Sequence, residues 1–223
     1  MAVTGRPAGS MPAHAVAGLT FRRAEPADVD AAAPLIYSSG PASFDYVFGD
    51  GTAGRALAFL RRAFVDSEGE FGHRCHTVAV RAGEVVGIGA AFDGAATLRF
   101  MRAAVRQILR SYGPAGAAVI IRGLRVERII RPPTAREYYI CHLGVREPLR
   151  GQGVGRALVG ELLRAATPGH HRIASLDVAV GNPRAEALYA RLGFVTQALR
   201  VSNLRRSVAT VPDHRRMSLA LAG

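Results

Sequence analysis

A short glycine-rich run has the residue types needed to bind an anion. It reads Arg150-Gly151-Gln152-Gly153-Val154-Gly155 and lies between an apolar stretch and an amphipathic one. Because glycine permits tight turns, successive N–H groups can point at one anion, and the positive end of the following helix adds to the attraction. The spacing fits neither a P-loop nor a dinucleotide fingerprint. The run therefore predicts either a pyrophosphate-binding loop or a plain strand-to-helix turn.

A second segment, residues 182 to 194, has the features of a short capped helix. Asn182 suits the N-cap, Pro183 the first helical position, and Gly193 the position just past the end. Tyr189 lies seven residues, or about two turns, after Asn182, so both can face one ligand. Taken alone, the segment is equally typical of a surface helix whose tyrosine is half buried in the core.

Together the two segments resemble the GNAT superfamily of acetyl-CoA-dependent N-acetyltransferases. The first carries Arg-x-x-Gly-x-Gly at Arg150, Gly153 and Gly155, and the second carries Asn-x-x-Ala-x-x-Leu-Tyr-x-x-x-Gly-Phe from 182 to 194. The motifs cover residues 138 to 194, and the order of elements extends the resemblance loosely over 19 to 221. Residues 1 to 18 and 95 to 136 carry no family signature.

The resemblance implies acetyl-CoA as co-substrate and no metal. In the family, backbone groups of one strand pair with pantetheine, the glycine-rich loop holds the pyrophosphate with arginines as charge partners, and the asparagine bonds the pantetheine arm. The residues expected to contact acetyl-CoA are Leu143, Gly144, Val145, Arg150, Gly151, Gln152, Gly153, Val154, Gly155, Arg156, Asn182 and Tyr189.

The chemistry of amide formation from a thioester needs an oxyanion donor, an acid and a base. By the resemblance, the Leu143 N–H faces the oxyanion. Tyr189 is the candidate acid, since a phenol stays protonated at neutral pH and can hydrogen-bond a leaving thiolate. Glu137, acting through water, is the candidate base.

The base assignment depends on which face of the strand each side chain occupies. Strict alternation places Leu143, Cys141, Tyr139 and Glu137 on the face that the family turns toward the acceptor. Tyr139 stands where some relatives carry a glutamate, which argues against a direct carboxylate base. Alternation sends His142 to the other face as a core histidine, and a β-bulge would reverse that placement.

The acceptor is expected to be a primary amine of a small molecule. Its expected contacts are Phe44, Asp45, Tyr46 and Tyr139, and the first three can equally form a packed plug in a loop from Ser38 to Gly51. A second loop, 202 to 213, carries Arg205 and Arg206, which suit an anion instead. The alternatives are a protein N-terminus or lysine as acceptor and, from another class, an acyl-CoA sensor or nucleic-acid-binding protein.

Composition indicates one soluble globular domain. The chain has 223 residues, 49% of them hydrophobic, and neither an apolar run of membrane-spanning length nor a signal-peptide pattern, so a cytoplasmic protein is expected. Its formal net charge of +12, with arginine as the only basic residue besides histidine, favours anionic partners such as coenzyme A. Nucleic acid is disfavoured as a partner, because the arginines are spread along the chain. A homodimer stays open.

Hydrophobic patterning predicts an α/β fold, namely a GNAT-like mixed, twisted sheet of six to seven strands with helices on both faces. Residues 1–18 are expected to form a mobile tail and 19–223 the N-acetyltransferase domain. Strands are predicted at 19–24, 76–80, 84–90, 138–145, 173–180, 194–201 and 216–220. Helices are predicted at 26–37, 53–65, 97–112, 114–130, 154–166 and 182–192.

The helix pair within 95–136 is predicted to be an insertion between strands three and four. Its first helix is basic and amphipathic, with an apolar face formed by Leu98, Met101, Val105, Ile108 and Leu109. The pair is interpreted as a lid over the sheet, with a dimer face or an anionic-substrate clamp as alternatives.

Overall fold

The computed structural model of the protein describes residues 16–52, 54–166 and 171–221. The predicted tail lies outside the described residues except for 16–18. The strands are β1 Leu19–Arg23, β2 His76–Arg81, β3 Glu84–Asp93, β4 Glu137–Val145, β5 Ile173–Ala179, β6 Val195–Arg200, β7 Arg205–Arg206, β8 Ala209–Thr210 and β9 His214–Ala220. The helices are α1 Val29–Ser38, α2 Pro41–Phe48, α3 Arg55–Val65, α4 Thr97–Tyr112, α5 Gly116–Val126, α6 Val154–Arg164 and α7 Pro183–Arg191.

Seven strands form one mixed sheet in the order β1-β2-β3-β4-β5-β9-β6. Only β4 and β5 run parallel; the other neighbours are antiparallel. The β2–β3 hairpin turns at Ala82 and Gly83, both of which have positive φ, as a two-residue hairpin turn requires. The predicted six- to seven-stranded mixed sheet is confirmed.

Helices cover both faces of this sheet. On one face, α1, α2 and α3 bury an apolar cluster that includes Phe59, Phe64 and Ile36. On the other face, α6 and α7 enclose Leu162, Leu176 and neighbouring side chains. Each helix buries one stripe of side chains, as the helical spacing in the sequence predicts.

The two parallel strands separate soon after they meet. They pair only at Glu137↔Ile173, Tyr138↔Ala174 and Tyr139↔Ser175. Beyond that point β4 stays with β3 and β5 stays with β9. The divergence opens a gap between the later halves of β4 and β5, and the backbone edges that face it are free to bind a ligand.

The predicted loop from Ser38 to Gly51 is wrong, because most of it forms α2. Pro41 occupies the start of the helix, Gly49 follows its end, and Tyr46, Val47 and Phe48 are buried. Proline at the first position and glycine after the last are normal helix boundaries. The helix is stabilised by burial of its apolar residues against α3 and α5, which local composition does not reveal.

The predicted loop 202–213 is also partly ordered, since β7 and β8 pair through Arg205↔Thr210 and Arg206↔Ala209. Arg206 donates to the carbonyls of Tyr46 and Gly49 at 2.6 and 3.0 Å, so this ribbon is attached to α2. Among the described residues, no helix has the length and apolar composition needed to span a bilayer.

Helices α4 and α5 lie between β3 and β4, where the insertion is predicted. The segment leaves and returns at one place: a Cβ added to Gly94 would lie 1.9 Å from the carbonyl oxygen of Thr134. Glycine is therefore required at this close approach of two backbones.

The predicted apolar face of α4 is only partly the buried one. The structure buries Phe100, Ala103, Gln107 and Ile108, whereas Leu98 is 60% exposed. The reason is a polar contact, in which Gln107 Nε2 donates to the carbonyl of Glu68 at 2.9 Å and turns this side of the helix toward the loop before β2.

Candidate active site

The glycine-rich run forms the turn that leads into α6. Gly151 and Gly153 have φ of +79° and +86°, a left-handed conformation that favours glycine. The N–H groups in the first turn of α6 have no partner inside the helix, so they remain available to an anion. Arg150 itself donates through Nε to the carbonyl of Val145 at 3.1 Å, which ties the loop to the end of β4.

Asn182 and Tyr189 of α7 reach the same cavity, as their spacing predicts. Asn182 caps the helix, since its Oδ1 accepts from the N–H of Ala185 at 3.1 Å, and its Nδ2 has no partner in the described part of the chain. The Tyr189 hydroxyl likewise has no hydrogen-bond partner among the described side chains. Burial raises the pKa of Tyr189, so the phenol stays protonated and can donate.

A β-bulge interrupts β4 at Cys141 and His142. The pairing with β3 shifts between Ile88 and Ala90, and His142 adopts a φ of +53°. A non-glycine residue in this region is strained by about 1–3 kcal/mol and is commonly found near functional sites. One extra residue in the strand reverses the alternation of side chains beyond it.

The bulge overturns the single face predicted for β4. Tyr139 and Cys141 stay on one face, His142 joins them, and Leu143 packs against α6 on the other. His142 stacks on the ring of Phe71 at 5.2 Å. The prediction that His142 lies on the opposite face from Tyr139 and Cys141 is therefore wrong, because the β-bulge adds one residue to β4 and reverses the alternation.

A hydrogen-bond chain fixes the tautomer of His142. The carbonyl of Gly72 can only accept, so His76 Nδ1 donates to it at 2.9 Å. His76 Nε2 then accepts from His142 Nδ1 at 3.2 Å. Burial lowers the pKa of His76 to about 4 and holds the pKa of His142 well below its usual value, so both rings are neutral. Nε2 of His142 consequently carries a free lone pair.

A buried polar network lies beneath the point where β4 and β5 separate. Tyr139 donates to Asp177 Oδ2 at 2.9 Å, and Arg216 reaches the same oxygen at 3.3 Å. Glu137 accepts from Ser175 Oγ at 2.9 Å and is 3.5 Å from Arg216. This network holds β4, β5 and β9 together.

The structure separates the sequence-predicted catalytic and acceptor residues. Tyr139, Leu143, Tyr189 and Phe44 line the cavity. Glu137 does not lie among the lining residues, and its carboxylate is already paired with Arg216, so its position does not support a role as the base.

Asp45 and Tyr46 also lie away from the cavity lining. Asp45 accepts from the Tyr37 hydroxyl at 2.7 Å, and Tyr46 is buried beside Arg206, whose guanidinium carbon is 5.9 Å from the ring centre. Both residues are therefore packed against other parts of the chain, which agrees with the alternative interpretation of this segment as a packed plug. Their proposed contact with the acceptor stays a prediction.

The cavity has a volume of about 1350 Å³ and runs from the glycine-rich loop and α7 to the helices α4 and α5. At the first end Arg150, Arg156 and Arg184 contribute positive charge. At the second end the walls are mostly apolar. The apolar side chains there are Phe92, Phe100, Met101, Val105, Ile108, Ile120 and Leu124. We call this end the acceptor chamber.

Two residues that line the cavity, Glu70 and Glu127, were not predicted from the sequence. Glu70 lies in the loop before β2 and Glu127 follows α5, where no motif or periodicity marks them. The described residues contain no group of three histidine, cysteine or acidic side chains arranged to hold a metal. A basic end and an apolar end with carboxylates can accommodate a phosphorylated coenzyme and a cationic organic molecule respectively.

The pattern that defines the acetyltransferase (GNAT) family matches residues 48–194. Curated protein sequences give no match. Among solved structures, a protein described as an acetyltransferase is 21% identical with a TM-score of 0.64, and the match covers 90% of this chain and 98% of that one. An N-acetyltransferase from Staphylococcus aureus Mu50 is 17% identical with a TM-score of 0.64, covering 90% and 100%. A GCN5-related N-acetyltransferase from Kribbella flavida is 21% identical with a TM-score of 0.56, covering 92% and 98%.

Proposed function

Because the chain belongs to the acetyltransferase (GNAT) family, and is thus an acetyl-CoA-dependent N-acetyltransferase, we propose that its acceptor is a small-molecule primary amine with an apolar body. The observation that carries this proposal is the continuity of the cavity. One end has the loop and helix expected to bind the coenzyme, and the other is an apolar chamber bounded by α4 and α5. An amine held in the chamber faces a thioester held in the gap between β4 and β5.

Coenzyme binding is assigned to the groups at the first end. The N–H groups from Gly151 to Arg156 bind the pyrophosphate, assisted by the charges of Arg150 and Arg156. The edge of β4 from Leu143 to Val145 pairs with the pantetheine arm as a neighbouring strand would. Asn182 donates to the same arm through Nδ2, since its Oδ1 is used in the helix cap.

The reaction proceeds by direct attack of the neutral amine on the thioester carbon. The carbonyl oxygen becomes an oxyanion, which the Leu143 N–H stabilises; one such preorganised donor contributes about 3 kcal/mol. The C–S bond then breaks, and Tyr189 donates its proton to the leaving thiolate. A phenol suits this step, because it stays protonated at neutral pH and can donate a hydrogen bond to the thiolate as negative charge develops on the sulfur.

Proteins of the same fold support a small amine as acceptor. They include an agmatine N-acetyltransferase, 15% identical with a TM-score of 0.55, and a chimeric spermidine N-acetyltransferase, 17% identical with a TM-score of 0.53. A putative phosphinothricin N-acetyltransferase is 19% identical with a TM-score of 0.55. The apolar walls of the chamber favour a more hydrophobic amine than the polyamines in this set.

A thiol-release assay tests the proposal. The wild-type protein is titrated with acetyl-CoA by calorimetry and then assayed with alkylamines, arylalkylamines, polyamines and peptides with a free N-terminus. We expect binding of acetyl-CoA and fastest release with alkyl- or arylalkylamines. Faster turnover of peptides would instead identify a protein acetyltransferase, and binding without release on any amine would contradict the proposed acceptor class.

A further inference from the structure

Two carboxylates in the acceptor chamber lack a protein partner. Glu70 and Glu127 both line the cavity, and within the described part of the chain neither carboxylate forms a hydrogen bond or an ion pair. Five other glutamates are each paired with an arginine, namely Glu68, Glu84, Glu137, Glu161 and Glu186. In a chain with 29 arginines, two unpaired carboxylates inside an apolar chamber call for a cation from outside.

The loop that carries Glu70 is held on both sides of that residue. On one side, Gly69 lies so close to α4 that an added Cβ would be 3.3 Å from that of Ala103. On the other side, Phe71 is buried and stacks on the ring of His142 at 5.2 Å. The Glu70 carboxyl is consequently positioned by the insertion and by the bulge in β4, rather than by an exposed, mobile loop.

This position brings Glu70 close to Cys141 of β4. Burial is the main cause of the raised pKa of the Cys141 thiol, and the negative charge of Glu70 raises this pKa further. Cys141 opens the bulge and lies two residues before Leu143, whose N–H is the proposed oxyanion donor. Glu70 therefore shares the cavity with the thioester site, on the side from which an amine in the chamber would approach.

The electrostatic environment suits a proton acceptor. Burial raises the pKa of Glu70 to about 7, and the charge of Glu127 adds to this rise. Burial also raises the pKa of Glu127. Neighbouring elements also carry other titratable and charged groups, namely Arg23 of β1, Arg99 of α4, Cys75 before β2, Tyr139, Cys141 and His142 of β4, Arg131 after α5 and Asp177 of β5. A general base is most effective when its pKa lies near the working pH.

We propose that Glu70 and Glu127 form the ammonium-binding site of the acceptor and that Glu70 receives the amine proton. This inference rests on the proposed function. An alkylammonium offsets the repulsion between the two carboxylates, while its apolar body lies against α4 and α5. The substrate class is thus a primary amine that is cationic in solution and carries a hydrophobic group.

The proton balance follows from these positions. Glu70 takes one proton from the ammonium, which frees the nitrogen lone pair. The nitrogen then attacks the thioester carbon and forms the C–N bond. The nitrogen then bears a positive charge. Glu70, having passed the first proton to solvent, takes the second proton from the nitrogen as the amide forms and releases it to solvent as well. Tyr189 protonates the departing thiolate and is reprotonated from solvent. The reaction yields the acetamide, coenzyme A with a free thiol, and one proton.

The binding test uses n-octylammonium and protein saturated with coenzyme A. At pH 8, calorimetry compares the wild type with Glu70→Gln, Glu127→Gln and Glu68→Gln. Glu68 is a matched control, because it lies in the same loop, pairs with Arg106 and is not part of the cavity. We expect affinity to fall by at least about tenfold in the first two variants and to be unchanged in the third. Equal affinity in Glu70→Gln and wild type, or no binding by the wild type, would overturn the inference.

Turnover of octylamine against pH tests the proton transfer. In the wild type, kcat/KM is expected to decline below about pH 7, where Glu70 becomes protonated. Glu70→Gln should lower kcat/KM at pH 8 by about a hundredfold and abolish this decline, with acetyl-CoA affinity unchanged. Glu127→Gln should move the decline to lower pH, because it removes a charge that raises the pKa of Glu70. Persistence of the same decline in Glu70→Gln would refute the base.

The two tests separate this inference from the proposed function. Loss of octylammonium binding in the Glu70→Gln and Glu127→Gln variants, combined with no thiol release by the wild type, would support the ammonium site while contradicting acetylation of such amines. Thiol release with octylamine that is equal in wild type and Glu70→Gln would support the proposed function and overturn this inference.

Discussion

Replacement of Tyr189 by phenylalanine removes one hydroxyl group from the lining of the cavity. Because this hydroxyl has no described protein partner, its loss breaks no internal hydrogen bond, and the free energy of unfolding should change by less than about 1 kcal/mol. The ring still packs against Phe194, with 6.1 Å between ring centres, so the position of α7 is preserved. The variant therefore tests the role of the hydroxyl proton in turnover without changing the packing of the ring.

The expected effect is on the chemical step. A positioned acid contributes about 10²- to 10⁴-fold, which corresponds to about 2.7–5.4 kcal/mol at 1.36 kcal/mol per tenfold. The reduction should appear equally in kcat and kcat/KM, while the Kd for acetyl-CoA changes by less than about threefold, because the proton is needed only in the transition state.

The assay is thiol release under saturating and limiting amine, with calorimetric binding of acetyl-CoA. Tyr138→Phe is the matched control: this tyrosine is also 8% exposed and belongs to the same apolar cluster, but it does not line the cavity. Unchanged turnover in Tyr189→Phe, or an equal loss in both variants, would refute the assignment of Tyr189 as the acid.

Four further changes have definite expected outcomes. Gly144→Ala places a Cβ 2.2 Å from a backbone oxygen of α1 and should lower the free energy of unfolding by about 3 kcal/mol. Its control is Gly160→Ala in α6, where an added Cβ has no neighbour within 4 Å, so the change should be neutral or stabilising. Denaturant titration measures both. Asn182→Asp keeps the cap of α7 but loses the Nδ2 donor, so calorimetry should show weaker acetyl-CoA binding without a lower melting temperature. Burial lowers the pKa of His76 to about 4, against 6.5 in the unfolded chain, so between these pH values the unfolded chain binds more protons than the folded one. The free energy of unfolding should therefore fall by about 3 kcal/mol as the pH falls from about 6.5 to about 4. Urea titrations at a series of pH values measure this loss. Ala104→Phe fills the acceptor chamber and should raise KM for the amine while leaving acetyl-CoA affinity unchanged in the same assays.

Sequence reasoning predicted the parts of the molecule whose causes are local. The left-handed glycines before α6, the proline and asparagine that begin α7, and the alternation of β2 and β3 each depend on a few neighbouring residues. Local signals also gave the seven strands and the boundaries of α4. These elements lie within a residue or a few residues of their predicted positions because propensity and burial favour the same structure.

Other features depend on contacts between distant segments. The bulge at His142 reflects stacking with Phe71 and His76, which are 71 and 66 positions earlier in the chain by their numbers. The exposed side of α4 is set by the bond from Gln107 to the loop before β2. Glu70 lies in a polar, glycine-containing loop that is typical of a surface turn, and only the fold places its carboxyl inside a cavity.

The contact of Gly94 with Thr134 has a practical consequence for protein engineering. The two helices between them begin and end at a single point on the sheet, and they supply one wall of the acceptor chamber without contributing to the glycine-rich loop, Asn182 or Tyr189. Helix α5 also packs against α2, and Gln107 of α4 donates to the loop before β2, so any grafted helix pair has to keep these contacts. Changing only the side chains of α4 and α5 that face the chamber offers a route to enzymes that acetylate different amines.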